Sequence, residues 1–422
     1  MRERRHPERV VAFVMAGGQG TRLNPLTQDR CKPAVPFGAR YRIVDFVLSN
    51  LINSNIRSIY LLVQFKPQSL IEHIRKAWQI SPMLADLFVT VVPPQMCNGT
   101  ELFRGTADAV HQSLRLIEAY RPDLVAVFGA DHIYRMDVQQ MILAHREHQA
   151  DVTVSALPIP LERAREFGII RSDADDRIVE FQEKPQHPAP MPKAPNTAFA
   201  SMGNYLFNTD VLIEALLDAH WRSETDFGQH VLPRLLLSHR VFAYDFTTNK
   251  VPGVRPYEEA AYWRDLGTVD AYYEAHKDVL GEQPRFDAFN PQWPIYSSNY
   301  QGPVARINGG EISNCLLGAA SVIQNGTRLR NCIIRREAVI ESGADLEDCI
   351  IMDYACVRKG AKLRRVIVDR HNVIDTDSHI GFDPEADAHR FHVTANRVVV
   401  IPRGDINFYA RDTRGKGPGY SE

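Results

Sequence analysis

The chain has 422 residues, more than one compact core accommodates, so two or three domains are expected. Apolar and charged fractions of 44% and 24% are those of an ordinary globular protein, and a net charge of −2 gives no footing for a nucleic-acid or membrane-surface partner. Six cysteines without a C-x-x-C pair make no disulfide framework, Met1–His6 lacks the apolar stretch of a secretory signal, and no apolar run reaches bilayer length, so a reducing cytoplasm is the expected compartment.

The first element in the chain is the apolar, β-prone run Val10–Ala16, which breaks into Gly17-Gly18-Gln19-Gly20-Thr21-Arg22-Leu23. A buried strand ending in such a turn lets backbone N–H groups approach a phosphate chain, and an arginine just beyond can grip the oxygens. Neither better-known phosphate loop fits: no Lys-Ser/Thr pair closes a G-x-x-x-x-G-K pattern, and Leu23 takes the sixth position of G-x-G-x-x-G.

Next, Ile56–Val63 reads as a strand, Gln68–Trp78 as an amphipathic helix, Leu124–Gly129 as a buried strand and Asp137–Gln149 as a helix. This alternation predicts an α/β, Rossmann-like domain with a mainly parallel mixed sheet covered on both faces, binding its ligand at the carboxyl ends of the strands. Gly17 and Asp131 both stand at such ends. Five prolines in 185–197 predict an irregular surface loop. The Pro-, Asn- and Gln-rich stretch 281–304 predicts a linker lying against its neighbours, because Phe286, Trp293 and Tyr296 are poor solvent-facing residues.

Beyond the linker the sequence repeats every 17 residues. Asn314-Cys315-Leu316-Leu317 recurs as Asn331-Cys332-Ile333-Ile334, Asp348-Cys349-Ile350-Ile351 and Arg365-Val366-Ile367-Val368, while Gly326, Gly343 and Gly360 repeat in register. Short β runs with small corners at roughly six-residue spacing describe a parallel β-helix, one corner of each coil being tightened by a residue. The expected domains are thus 1–280, nucleotide-handling; 281–304, linker; and 305–422, β-helix with a C-terminal tail.

The opening segment with Lys32-Pro33, then Phe103-Arg104-Gly105-Thr106-Ala107-Asp108-Ala109, Gly129-Ala130-Asp131-His132, Phe181-Gln182-Glu183-Lys184-Pro185, Ala200-Ser201-Met202-Gly203 and Tyr262-Trp263-Arg264-Asp265-Leu266-Gly267-Thr268, stand in order along the chain. Together they resemble the sugar-nucleotide pyrophosphorylases, and among them the bacterial glucose-1-phosphate adenylyltransferases, from about residue 10 to 400. The resemblance implies a nucleotidyltransferase domain followed by a left-handed β-helix that serves subunit contacts and effector binding. It also implies a homotetramer, and the reaction of ATP with glucose 1-phosphate to give ADP-glucose and pyrophosphate.

A phosphate monoester is already ionised near neutral pH, so such a reaction needs no general base; it needs charge cancellation, by Mg2+, Lys, Arg and backbone N–H. Asp131 and Asp265 are the expected Mg2+ ligands. Lys184 is the candidate for the sugar phosphate, with Glu183 beside it for sugar hydroxyls, and the resemblance adds Gly168, Ser201 and Phe103 to that set. Arg22 and Lys32 would neutralise the triphosphate, and Gly17, Gly18, Thr21, Gly105 and Thr106 would line the nucleotide; the resemblance implies that Gln64 lies near the base or in the link to the effector site. The resemblance implies phosphorylated effectors between Arg30, Arg40 and Arg42, where Asp29 makes the charge less favourable for a bisphosphate, and Arg364, Arg365 and Arg370 on the β-helix side. In isolation each of these residues has a plainer reading: Asp131 as a strand-end cap, Asp265 as the partner of Arg264, Glu183-Lys184 as a solvated turn, the arginines as partners of surface acids.

The chain departs from the resembling pattern in two places: Leu102-Phe103 replaces Trp-Tyr, losing a hydroxyl near the sugar, and Gln19 stands where an arginine is common. The Asp173–Asp176 cluster is read as a turn, since a calcium loop would not place Ile178 and Lys184 at its sixth and twelfth positions. The Cys315, Cys332, Cys349 ladder is read as core packing and His132 as a structural neighbour of the site. Two other functions compete with the leading one. A pyrophosphorylase for GDP-, UDP- or dTDP-sugars would differ in base or sugar selectivity. A non-catalytic regulatory subunit would tend to lose the metal aspartate or the phosphate lysine, whereas Arg22, Asp131, Lys184 and Asp265 are all retained.

Overall fold

The computed structural model describes residues 8–79, 87–95, 102–191 and 194–404. Packing gathers the described residues into two compact units: one holds those of 8–18, 46–253 and 291–295, and the other those of 19–45, 254–290 and 296–404.

The first unit is built on nine strands: β1 (Val10–Ala16), β2 (Ser58–Val63), β3 (Phe88–Val92), β4 (Leu124–Gly129), β5 (Val152–Pro160), β6 (Gly168–Ser172), β7 (Ile178–Glu183), β8 (Thr197–Asn208) and β9 (Val241–Asp245). Their order is β7-β6-β8-β4-β1-β2-β3, with β5 beside β8 and β9 beside β5. The half around β1 is parallel, and β8 enters antiparallel to its neighbours, giving the mixed sheet. Val11, Ala12, Phe13 and Val14 are all buried, so β1 is covered on both faces, which is why its sequence is continuously apolar rather than alternating.

Helices α1 (Gln68–Ala77), α2 (Thr106–His111), α3 (Leu114–Tyr120), α4 (Val138–Glu147) and α5 (Thr209–Trp221) accompany the sheet. Leu70, His73 and Ile74, three and four residues apart, form the buried stripe of α1. Asp137 starts α4 by accepting the Gln139 amide at 3.0 Å. Register brings Ala16 opposite Val63 and Met15 opposite Gly129, so the carboxyl ends of β1, β2 and β4 share one edge.

In the second unit, three parallel sheets wind the repeat into the expected β-helix, with Leu316, Ile333, Ile350 and Ile367 stacked in register. Val322, Arg328, Ile333 and Val339 begin successive strands, six, five and six residues apart, which locates the short corner at Asn331. Every corner turns through a left-handed residue: glycine at 326, 343 and 360, Asn or Asp at 314, 331 and 348, and Ala320, Glu337, Tyr354 and His371 at the third. Asn and Asp tolerate that conformation better than other side chains, which explains the Asn or Asp heading three of the four Asn-Cys-Leu-Leu-like segments; Arg365 heads the fourth in the same left-handed conformation. Ile323, Leu329, Ile334, Leu346, Ile351 and Leu363 fill the interior, with Cys332 and Cys349 packed among them as small apolar groups. In 281–304 Phe286 and Trp293 are buried as expected, whereas Tyr296 is not: it is 43% exposed.

Helix α6 (Val269–Lys277) carries a fully buried histidine in the second unit. His276 donates from Nδ1 to the Tyr272 carbonyl at 2.8 Å and accepts the Gly38 amide at Nε2, 3.1 Å. Burial pushes its pKa down to about 3 from an ordinary 6.5. The unfolded chain therefore binds a proton that the folded chain refuses, so stability conferred by neutral His276 is complete above about pH 6.5 and is lost as pH falls toward 3. Denaturant midpoints measured from pH 7.5 to 4 should fall less steeply in His276→Gln than in the parent, and the variant should lose about 1–2 kcal/mol at pH 7.5. Parallel pH curves would contradict this assignment.

Candidate active site

In the first unit, parallel pairing places Gly17, Gln64 and the Ala130-Asp131 pair just beyond three adjacent strand ends. A Cβ on Gly17 would stand 3.6 Å from the Gln64 Cβ, whereas one on Gly18 would meet nothing within 4 Å. Gln64 holds Phe103 through both amide atoms: Oε1 accepts the Phe103 N–H, and Nε2 donates to its carbonyl at 3.2 Å. Phe103 itself packs half-buried against the apolar core. The Asp131 carboxylate folds back over Gly129, where a Cβ would come within 3.2 Å of Oδ1, and lies 3.4 Å from the His132 Nδ1.

The residues assigned to the sugar phosphate converge. Gly168 pairs with Glu183 across the β6–β7 hairpin, and the Glu183 carboxylate is wedged between two glycines. A Cβ on Gly168 would lie 3.0 Å from Oε2, and one on Gly228 only 2.6 Å from it. Lys184 follows with φ +48, a left-handed conformation rare for lysine; its amide bonds the Phe167 carbonyl at 3.1 Å and its Nζ sits 3.0 Å from Glu183 Oε1. Ser201 is buried where the β8–β5 register shifts, its Oγ accepting the Gly203 amide at 3.2 Å.

Two residues of this group escaped sequence reasoning. Tyr205 is held un-ionised by burial and by the Glu183 charge. Asp226 accepts the Gly228 and Gln229 amides at 2.9 and 3.0 Å and so sets the turn that presses Gly228 on Glu183. The one sequence cue was Asp226-Phe227-Gly228 itself, an acid two residues before a glycine. Gly105 and Thr106 sit against this same loop: the Ala107 and Asp108 amides donate to the Thr225 carbonyl at 2.8 and 3.1 Å, and a Cβ on Gly105 would crowd that oxygen at 2.4 Å.

In the second unit, Gly20 at φ +64 leads into a single helical turn, Thr21–Leu23, with Thr21 and Arg22 exposed. Lys32 is buried, its Nζ 2.9 Å from Asp265 Oδ1. A Cβ on Gly267 would come within 2.8 Å of Asp265 Oδ2 and 3.3 Å of Arg22 Nη2, so Arg22, Lys32 and Asp265 gather about a glycine that leaves them room. Arg264 does not pair with Asp265; it binds Glu259 and Asp278.

The arginines assigned to effectors divide. Arg30 is buried against Asp369, Arg335 binds Asp353 at 3.0 Å, and Arg42 and Arg370 complete the group. Burial, reinforced by neighbouring arginines, pushes Arg42 and Arg370 down to about 10, and burial opposed by Arg335 leaves the Asp353 carboxyl below its usual range. Among the described residues, Arg30 Nη1 and Arg370 Nε are buried with no hydrogen-bond partner. Arg40 is exposed, Arg364 binds Glu347, and Arg365 donates to the Asn396 carbonyl over the Tyr273 ring. Arg365 (φ +55) is itself the left-handed residue of the short corner, with Arg364 just before it, one corner ahead of Arg370; Arg335, unmarked in the sequence, lies with Arg30, Arg42 and Arg370 instead.

A family model described as nucleotidyl transferase matches residues 11–282, and one described as GlmU-like, C-terminal hexapeptide, matches residues 304–401. Fold and site thus define a nucleotidyltransferase carrying a hexapeptide β-helix. The chain belongs to the glucose-1-phosphate adenylyltransferase family: proteins of that name from Thermodesulfovibrio yellowstonii and Thermus thermophilus are 52% and 47% identical to it, covering 94% of this chain and 96% and 98% of their own lengths. Another, from Photobacterium profundum, is 40% identical over 94% of this chain and 98% of its own.

The left-handed backbone at Lys184 carries a measurable cost. Lys184→Gly should be more stable than Lys184→Ala by about 1 kcal/mol in denaturant unfolding, because only glycine adopts φ +48 without strain. Equal stabilities would show that the turn relaxes in the variants.

Proposed function

We propose that this protein transfers the adenylyl group of ATP to glucose 1-phosphate, releasing pyrophosphate, as the names of its relatives state for them. The observation that carries the reading is the Glu183–Lys184 element, in which a carboxylate fixed between two glycine backbones stands beside a lysine held in a strained turn. Strain of this kind persists where function fixes the geometry.

In this reading Lys184 binds the sugar phosphate, while Glu183 and Ser201 hydrogen-bond the sugar, with the phenyl of Phe103 offering an apolar face and no hydroxyl. Arg22 and Lys32 offset the charge of the triphosphate. Gly17, Gly18 and Thr21 line the nucleotide, Gly18 leaving a clear backbone approach. The sugar phosphate arrives ionised, so these groups orient and neutralise while no side chain removes a proton.

Asp131 and Asp265 fit a hard divalent ion by their chemistry: the first is partly exposed at a strand end, and the second keeps one oxygen beside Gly267. We assign Mg2+ to them; when bound, it supplies positive charge against the phosphate oxygens.

The surplus of buried guanidinium around Arg30, Arg42, Arg335 and Arg370 calls for an anion, which we take to be a phosphorylated effector. The free thiols of Cys31, Cys315, Cys332, Cys349 and Cys356 suit a reducing cytoplasm, and no helix among the described residues is long and apolar enough to cross a membrane. Assembly as a homotetramer through residues 305–380 is favoured by the open first coil, where Val304 and Ile307 are exposed beside an unpaired strand edge. Light scattering at micromolar concentration should give four times the chain mass; a monomer would refute the assembly.

Pyrophosphate release with glucose 1-phosphate and each of ATP, GTP, UTP and dTTP tests the activity: ATP should be preferred by at least an order of magnitude, and a preference for another nucleotide would replace this reading with its nearest rival. Asp131→Asn should lower kcat by several orders of magnitude in a folded protein. Lys184→Gln should raise KM for glucose 1-phosphate far more than KM for ATP, and equal rises would remove the lysine from the sugar phosphate. A titration with sugar phosphates should show activation favouring singly phosphorylated metabolites, since the exposed Asp29 adds negative charge next to Arg30 in the sequence; preferential activation by fructose 1,6-bisphosphate would overturn that.

A further inference from the structure

Thr106 is the first residue of α2, in a segment whose family resemblance points to the nucleotide. Its hydroxyl is engaged in another direction. Oγ1 donates to Asp226 Oδ2 at 3.0 Å and accepts the Phe227 amide, also at 3.0 Å. Both capacities of the hydroxyl are used on one short loop, leaving one lone pair. The same loop is held a second time by the start of α2, through the Ala107 and Asp108 amides on the Thr225 carbonyl. Those amides would otherwise be the open N-terminal donors of the helix, the groups that receive phosphate in a phosphate-binding turn.

The consequence runs through Asp226. With one oxygen fixed by Thr106, its other oxygen orders Gly228 and Gln229, and Gly228 is the backbone against which Glu183 Oε2 rests. A shift of a few tenths of an ångström in this turn reaches the Glu183 carboxylate directly, because no side chain intervenes at Gly228. Valine at 106 keeps the shape of threonine but offers neither bond. Phe227 N–H and one Asp226 oxygen would then lose their partner in a part-buried setting, and the loop would move to recover one.

We propose that Thr106 is a positioning residue for the sugar-phosphate end of the site rather than a nucleotide contact: through Asp226 and Gly228 it fixes the Glu183 carboxylate. The proposal rests on the reading that Glu183 and Lys184 receive glucose 1-phosphate. It also connects the chain segment that begins at Phe103, held by Gln64, with the sugar end through contiguous hydrogen bonds and packing.

The test is steady-state kinetics of the full-length protein with Thr106→Val, Thr106→Ser and Glu183→Gln, each checked for folding by thermal unfolding. Thr106→Val should raise KM for glucose 1-phosphate about tenfold, the loss expected for hydrogen bonds of this kind, and leave KM for ATP within about twofold. Thr106→Ser, which keeps the hydroxyl, should return KM for glucose 1-phosphate to within about threefold of the parent. In the double variant with Glu183→Gln the two effects should be clearly less than additive, as for groups acting through one another. An ATP KM that rises as much as that for glucose 1-phosphate would make Thr106 a nucleotide contact, and no change in either would deny it a role; both overturn the proposal. If Thr106→Val fails to fold, Thr106→Ala loses the same bonds without the second methyl and is read by the same criteria. Should Glu183→Gln leave KM for glucose 1-phosphate unchanged, the sugar-site reading falls and the proposal with it. A raised KM in Glu183→Gln with a normal one in Thr106→Val and Thr106→Ala sinks the proposal alone.

Discussion

Parallel pairing of β1 between β2 and β4 is the constraint on which the first unit depends. Because the three strands run the same way, their carboxyl ends meet one edge, and Gly17, Gln64 and Asp131 arrive there together from positions spread over more than a hundred residues of sequence. Nothing in those side chains attracts them to one another; the backbone ladder delivers them. Burial of Val11–Val14 on both faces is what secures the register, since a one-residue slip between two covered faces would disturb packing throughout.

Around that edge the first unit repeatedly uses the absence of a side chain: Gly168 and Gly228 clamp Glu183, Gly129 admits the Asp131 carboxylate, and Gly105 admits the Thr225 carbonyl. The second unit does the same on its own account, where Gly267 leaves space for Asp265 and Arg22. These glycines do not serve left-handed turns; they allow backbone and carboxylate to approach more closely than a Cβ permits. Charged groups held this way need little rearrangement when a polyanion binds, which is how a site made of Lys, Arg and Asp can favour a transition state without acid–base chemistry.

The sequence made the strands, the 17-residue coil and the ordered motifs legible, because periodicity and glycine punctuation are local signals. It also marked Gly168, Glu183, Lys184 and Ser201, which the hairpin and β8 bring to one place or its near neighbourhood. Long-range partners were not readable. Asp226 has no spacing relation to Glu183, Tyr205 is one more strand aromatic in the sequence, and Arg335 stands in a repeat with no motif of its own. Arg364 and Arg365 stand apart from the Arg30 group for the same reason: a residue's heading on a β-helix depends on its place relative to the corners, and five residues of chain carry it to the next. Lys184 was marked by its motif, but its left-handed backbone was hidden, since the residue before a proline is ordinarily extended.

The central claim is that this site cancels charge and abstracts no proton. The pH dependence of kcat/KM for glucose 1-phosphate, measured at saturating ATP and Mg2+, tests it most directly. The account predicts a rise with unit slope up to about pH 6, where the sugar phosphate takes up its second charge, and a plateau through pH 8, unchanged in His132→Asn. A limb near pH 7 that belongs to the protein and disappears with His132 would show a general base at work and contradict it.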